Sequence, residues 1–237
     1  MHHRFASLAV VLLVAITSLS SCVRNENHTD SDSARPQVLN RTKSLDEVLR
    51  SGNVESAVAA LEAVKTRGFV KQDIQVVANA WLNRPATLTA YGKQNDRDLV
   101  TVSLADVLLQ AVANGVWDLE TQERQTIRLA LREIAAGKSW PASMRAVSAI
   151  AFIDDAETTT FLTNTATQSS DHYRAAVVAL SLMCDPSATE SLSLLAKRVR
   201  DSDDKAFLLS TQEKYRKLNE DTSLCERRSR LARVPTR

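Results

Sequence analysis

From Leu45 onward the apolar residues of this 237-residue chain recur with a helical period, and one segment repeats its own pattern. Sliding Arg145 to Arg200 along itself by 30 residues lays Ala146, Val147, Ala149, Ile150, Phe152 and Ile153 on Ala176, Val177, Ala179, Leu180, Leu182 and Met183. Asp155 then falls on Asp185, Leu162 on Leu192 and Ala166 on Ala196. In both copies the i, i+3, i+4, i+7 spacing (Ala146, Ala149, Ile150, Ile153, then Ala176, Ala179, Leu180, Met183) puts the apolar residues on one helical face. Small side chains there let neighbouring helices approach closely. Asp185-Pro186 reads as an N-cap followed by proline at the first helical position. Asp155-Ala156-Glu157 is the same device without the proline, with Glu157 at the positive end of the helix dipole. A fixed period near 30 with two helical halves is the signature of a stacked α-solenoid.

The run Arg174 to Pro186, Arg-Ala-Ala-x-x-Ala-Leu-x-x-x-x-Asp-Pro, resembles the HEAT repeat, in particular the short type named after phycobilisome lyases. Cys184 stands where that family usually has glycine. The match covers two repeats and is degenerate elsewhere. It implies an all-α fold, an α-solenoid of stacked antiparallel helix pairs forming a HEAT-like or armadillo-type superhelix.

The rest of the pattern fits helices without any period-2 strand. Leu45 to Leu49 reads as a short helix stopped by Gly52-Asn53. Val54, Ala57, Val58 and Leu61 give a second, closing at Gly68, and Ile74, Val77, Ala78 and Trp81 a third, ended by Pro85. Periodicity then disappears from Arg84 to Thr101. A stretch of that length reads as a loop, with Tyr91, Lys93, Arg97 and Asp98 as candidate contact residues and Tyr91 and Arg97 foremost. Leu104, Val107, Leu108 and Ala111 resume the helical face, and Ile127, Ala130, Leu131 and Ile134 follow, closed by Gly137. Residues 204–218 read as a capping helix, because Gln212 and Glu213 take the places of Leu182 and Met183. Trp81, Trp117 and Trp140 are expected to pack between helices.

The N-terminus reads as targeting rather than fold. Residues 1–21 carry a short His/Arg n-region and an apolar core too short to span a bilayer. Leu19-Ser20-Ser21-Cys22 resembles a bacterial lipobox, which implies lipidation of Cys22 and cleavage before it. Residues 22–43 are then the lipidated cysteine and a flexible polar tether, spanning roughly 25 Å as a coil. Residues 44–220 form the helical-repeat domain, and residues 221–237 a basic C-terminal tail. Val23 after the cysteine resembles outer-membrane sorting, so the expected location is the cell envelope, lipid-anchored and facing the periplasm.

With 30 basic against 28 acidic residues, the net charge of +2 gives no reason to expect nucleic acid. After Cys22 two cysteines remain, Cys184 and Cys225. They are a candidate disulfide closing a loop of about 40 residues, with Cys184 equally readable as a small buried hydrophobe. His172 reads as a surface residue, Asp154-Asp155 and Asp201-x-Asp203-Asp204 as helix caps. No Cys-x-x-Cys or His-Glu-x-x-His metal pattern occurs, nor a Gly-x-Ser-x-Gly elbow. Neither enzyme chemistry nor a metal or cofactor is expected. The expected function is binding of a protein partner in the envelope. An immunity or inhibitor lipoprotein and a structural envelope component stand as alternatives.

Overall fold

The computed structural model describes residues 43–219 and Cys225. The expectations for residues 1–42, lipidation of Cys22 among them, and for the tail apart from Cys225 lie outside the described residues. Those that are described are all-α, with no strand among them. In chain order the helices are α1 (Leu45–Leu49), α2 (Val54–Thr66), α3 (Lys71–Leu82), α4 (Arg84–Leu88), α5 (Gln94–Ala113), α6 (Thr121–Ala135) and α7 (Trp140–Ala149). After a 3-10 turn (Ile150–Phe152) come α8 (Ala156–Gln168), α9 (Tyr173–Leu182), α10 (Pro186–Arg198) and α11 (Ser202–Asn219).

The packing is organised on α5. From Val100 to Ala113 every residue except Asp106 and Gln110 is buried, because α2, α3, α4, α6 and α7 all pack on this helix. Its buried hydroxyls are satisfied within the helix: Thr101 donates to Arg97 O (2.7 Å) and Ser103 to Leu99 O (2.8 Å). Asp106 turns toward α2, where Lys65 Nζ lies 2.6 Å from Asp106 Oδ2 and 2.9 Å from Glu62 Oε2. Burial alone lowers the pKa of this ammonium, but the two carboxylates more than offset it and hold it above its ordinary value.

This helix corrects the reading of residues 84–101 as a loop. They form α4, a short connection and the first turns of α5. The first turns of α5, Gln94 to Leu99, are exposed or half-buried and mostly polar, so they carry no apolar stripe for a sequence reading to detect.

Beyond α5, several pairs of side chains 30 positions apart are alike in being buried. Ala146 and Ala176, Val147 and Val177, Ile150 and Leu180, and Ile153 and Met183 are all buried. On the following helices, Leu162 and Leu192 are buried as well. Asp155 caps α8 by accepting from Thr158 N, and Asp185 caps α10 by accepting from Ser187 N, with Pro186 in the first turn. α7, α9 and α11 run side by side in one direction. Their starts meet through His172 Nε2 and Ser143 Oγ (3.0 Å) and through the Tyr173 hydroxyl on Asp204 O (3.4 Å). The ends of α7 and α9 meet where the Asp154 carboxylate accepts from both Cys184 N and Asp185 N, each at 2.9 Å. On the other row, Arg128 of α6 reaches Asp155 and Glu157 at the start of α8. Arg132 donates to Glu157 Oε1 at 2.7 Å.

α11 departs from the 30-residue register. Ala206 is exposed while Leu208, 31 positions after Val177, is fully buried. Asp201 Oδ1 caps α11 by accepting from Asp203 N and Asp204 N. Trp81 is buried and Trp117 half-buried against the core, as expected, but Trp140 is 57% exposed. It opens α7 immediately before Pro141, and its ring faces solvent instead of a neighbouring helix.

Gly52 and Gly68 both sit in the left-handed region, at φ 72° and 93°. A Cβ on Gly52 would stand 2.5 Å from Ala90 O, whereas one on Gly68 would meet nothing within 4 Å. Gly68→Ala is expected to cost about 1 kcal/mol from backbone strain alone, and Gly52→Ala about 3 kcal/mol because the clash is added. Urea unfolding of the two variants against the parent chain checks the order and the gap.

Candidate functional site

A cavity of about 470 Å3 opens between α1, α3 and α4. Asp46 and Arg50 of α1, Asn79 and Asn83 at the end of α3, and Thr87 and Thr89 around α4 supply its polar lining. Leu49, Ala80, Ala86 and Ala90 supply the apolar part.

Each wall is set by local sequence. A five-residue helix such as α1 is not stable by itself. Here a capping box starts it: Ser44 Oγ accepts from Glu47 N, and the Glu47 carboxylate from Ser44 N. Burial of Leu49 and a hydrogen bond from the Tyr91 hydroxyl to Leu49 O (2.7 Å) then fix its far end. Burial pushes the Tyr91 phenol above its usual pKa, so the hydroxyl keeps the proton it donates. Arg97 Nε donates to Tyr91 O at 2.7 Å and holds that turn in place. α4 begins with Pro85 in its first turn, and the Thr87 and Thr89 hydroxyls donate to backbone carbonyls of Asn83 (3.2 Å) and Ala86 (2.6 Å). Beside it the Arg84 guanidinium lies over the Trp81 ring at 4.1 Å. Burial lowers its pKa, against the opposing pull of Glu133.

The rim pairs one cation with one anion, Arg50 Nε lying 3.0 Å from Asp46 Oδ1 with both side chains largely exposed. Asn83 Nδ2 donates to Asn79 O (3.0 Å), and Gln75 Nε2 donates to Asn79 Oδ1 (3.2 Å). Carboxamides both donate and accept, so what this surface can do is hydrogen-bond to amide or hydroxyl groups.

Of the sequence candidates for partner contact, Tyr91 requires correction. Tyr91 is 1% exposed and belongs to the core, and Arg97 is half-buried against it. An aromatic ring followed by polar residues reads as a loop surface, yet here the ring is drawn inward by the carbonyl of Leu49. The two residues build the cavity wall instead of lining it. Cys184 and Cys225 are joined in a disulfide, Cα–Cα 5.4 Å, far from the cavity in sequence. His172, expected on the surface, is half-buried between two serines: Nδ1 is 2.8 Å from Ser169 Oγ and Nε2 is 3.0 Å from Ser143 Oγ. Ser143 also lies 3.1 Å from Trp140 O, to which its single proton goes. That leaves its oxygen to accept from Nε2–H, and Nδ1 to accept from Ser169. With Ser143 1% exposed, its contact with His172 ties two helix starts together. Among the described residues no cluster of three His, Cys, Asp or Glu could hold a metal ion.

Asn79 and Asn83 are not among the sequence candidates. Their i, i+4 spacing on the face of α3 opposite Ile74, Val77, Ala78 and Trp81 is the signal that marks them.

Tyr91→Phe removes the donor to Leu49 O while keeping the ring in the core. The expected loss is about 1–2 kcal/mol of stability, with hydrogen exchange in α1 accelerated more than in α5. Unfolding curves and exchange mass spectrometry on the variant measure both. Comparison of the chain with protein-family models, with curated proteins and with solved structures yields no match.

Proposed function

We propose that this chain is a lipid-anchored envelope protein whose helical domain binds a protein partner, with the cavity between α1, α3 and α4 as part of the contact surface. The cavity carries the reading. It is within the size range of ligand pockets, and its mixed lining of carboxamides, hydroxyls, an arginine and alanines suits a projecting side chain or loop of another protein. Trp140 adds an exposed aromatic residue of the kind that anchors interfaces. We read α5 to α11 as a HEAT-like stack, supported by the equivalent burial at positions 30 apart and by the Asp155 and Asp185 caps. The step from such a stack to protein binding is an analogy of architecture.

The envelope location is supported by the Leu19-Ser20-Ser21-Cys22 motif and by the Cys184–Cys225 disulfide, a bond that persists in oxidising compartments. Among the described residues no helix is long and apolar enough to cross a membrane, so on this reading the lipid is the anchor.

A photo-crosslinking residue at Thr89, on the rim, is expected to capture one stoichiometric partner in the native envelope, and Asn83→Trp, which fills the cavity, to abolish that capture. Capture of the same bulk envelope proteins from Thr89 and from a control position at Lys197 on α10 overturns the reading. Incorporation of labelled palmitate by the parent chain and its loss in Cys22→Ser checks the anchor separately.

A further inference from the structure

The helix α11 is held at its two ends by different means. Among its described side chains Leu208 is the single buried hydrophobic one, whereas α5 buries a nearly unbroken run. Its first turns are fixed by polar contacts with the start of α9. Arg174 Nε lies 3.2 Å from Asp204 Oδ1, the Tyr173 hydroxyl 3.4 Å from Asp204 O, and the Arg174 guanidinium sits over the Phe207 ring at 5.2 Å. Past Leu208 the residues turned inward are Thr211, which is buried, and Gln212 and Tyr215, which are half-buried. None of the three is purely apolar, so among the described side chains past Leu208 the contact with the rest of the fold is mostly polar.

The far end is secured covalently. Cys225, six positions after Asn219, is bonded to Cys184 in the turn between α9 and α10. Cys184 is itself held still, because its backbone N–H donates to the Asp154 carboxylate at 2.9 Å. Both cysteines are partly exposed, so a reductant can reach the bond.

We propose that Cys184–Cys225 is a redox-operated latch on α11. Oxidised, it keeps the helix along α9. Reduced, the helix past Leu208 detaches and uncovers α9, while α5 and α7 keep their packing. The step is a thiol–disulfide exchange with a dithiol: two electrons and two protons pass to the bridge, giving two cysteine thiols, and the dithiol leaves as its own disulfide. The inference does not depend on the partner reading above.

Hydrogen-exchange mass spectrometry on the full chain, oxidised and after reduction with dithiothreitol, tests it. The expected result is that amides in the second half of α11 exchange about a hundredfold faster once reduced, with those of α5 and α7 unchanged. Cys225→Ser is expected to show the same fast exchange without reductant and no response to it. Unchanged protection of α11 in either sample overturns the latch. So does acceleration spread equally through α5 and α7, which would make the bond a staple for the whole domain.

Discussion

The enclosure of α5 is the constraint on which the rest of the packing depends. Five helices, α2, α3, α4, α6 and α7, pack on it, so any change in its position moves all of them. Enclosure sets strict terms for its sequence. Every side chain from Val100 to Ala113 must be apolar, small, or bonded within the helix, except where a neighbour supplies a partner. Thr101 and Ser103 meet those terms by donating to carbonyls one turn back. Asp106 meets them through Lys65, and Gln110 through Asp106 at 2.8 Å. The Asp106–Lys65 pair also fixes the rotation of α2 against α5, since an unpaired carboxylate or ammonium at that depth would be costly.

Beyond α5, polar contacts set the spacing of successive helices more sharply than the apolar faces do. Alanine-rich faces allow close approach but tolerate sliding, because one small side chain fits a groove much like another. The Asp154 carboxylate, accepting two backbone N–H groups of the next turn, permits one offset only. At the opposite ends His172 with Ser143 and Tyr173 with Asp204 do the same. On the other row Arg128, 8% exposed, is bound to both Asp155 and Glu157. The first residues of α8 and its cap therefore serve twice, starting one helix and receiving the arginine of an earlier one.

Much of this was legible in the sequence where a helix has one wet face and one dry face. The stripes on α2, α3, α6, α7 and α9, the Asp155 and Asp185 caps and the turn at Gly52 all follow from local pattern. Two features were not legible in this way. The start of α5 shows no period because Gln94 to Leu99 are mostly polar and exposed or half-buried, and Tyr91 looks like a loop residue because its partner, Leu49 O, lies 42 positions away. The cavity was hidden for the same reason. Its walls come from α1, α3 and α4, and it takes the Gly52–Ala90 approach and the Tyr91 hydrogen bond to bring them together.

The two ends of the packed helices solve one problem in different ways. An end element has neighbours on one side only, so it buries less apolar surface than a central one for a similar loss of chain entropy. At the N-terminal end the element is short. α1 orders five residues, and one buried leucine, a capping box and the Tyr91 hydroxyl suffice to hold it. At the C-terminal end α11 orders 18 residues behind a single buried leucine among its described side chains. Lengthening a helix without lengthening its apolar face adds entropy cost without adding burial. A cross-link removes part of that cost from the unfolded chain, and its effect is greatest for a long loop such as the 41-residue separation here. The disulfide thus adds a covalent hold beyond a helix with one buried leucine among its described side chains, and the hydrogen-bonded Cys184 gives it a fixed point to pull against.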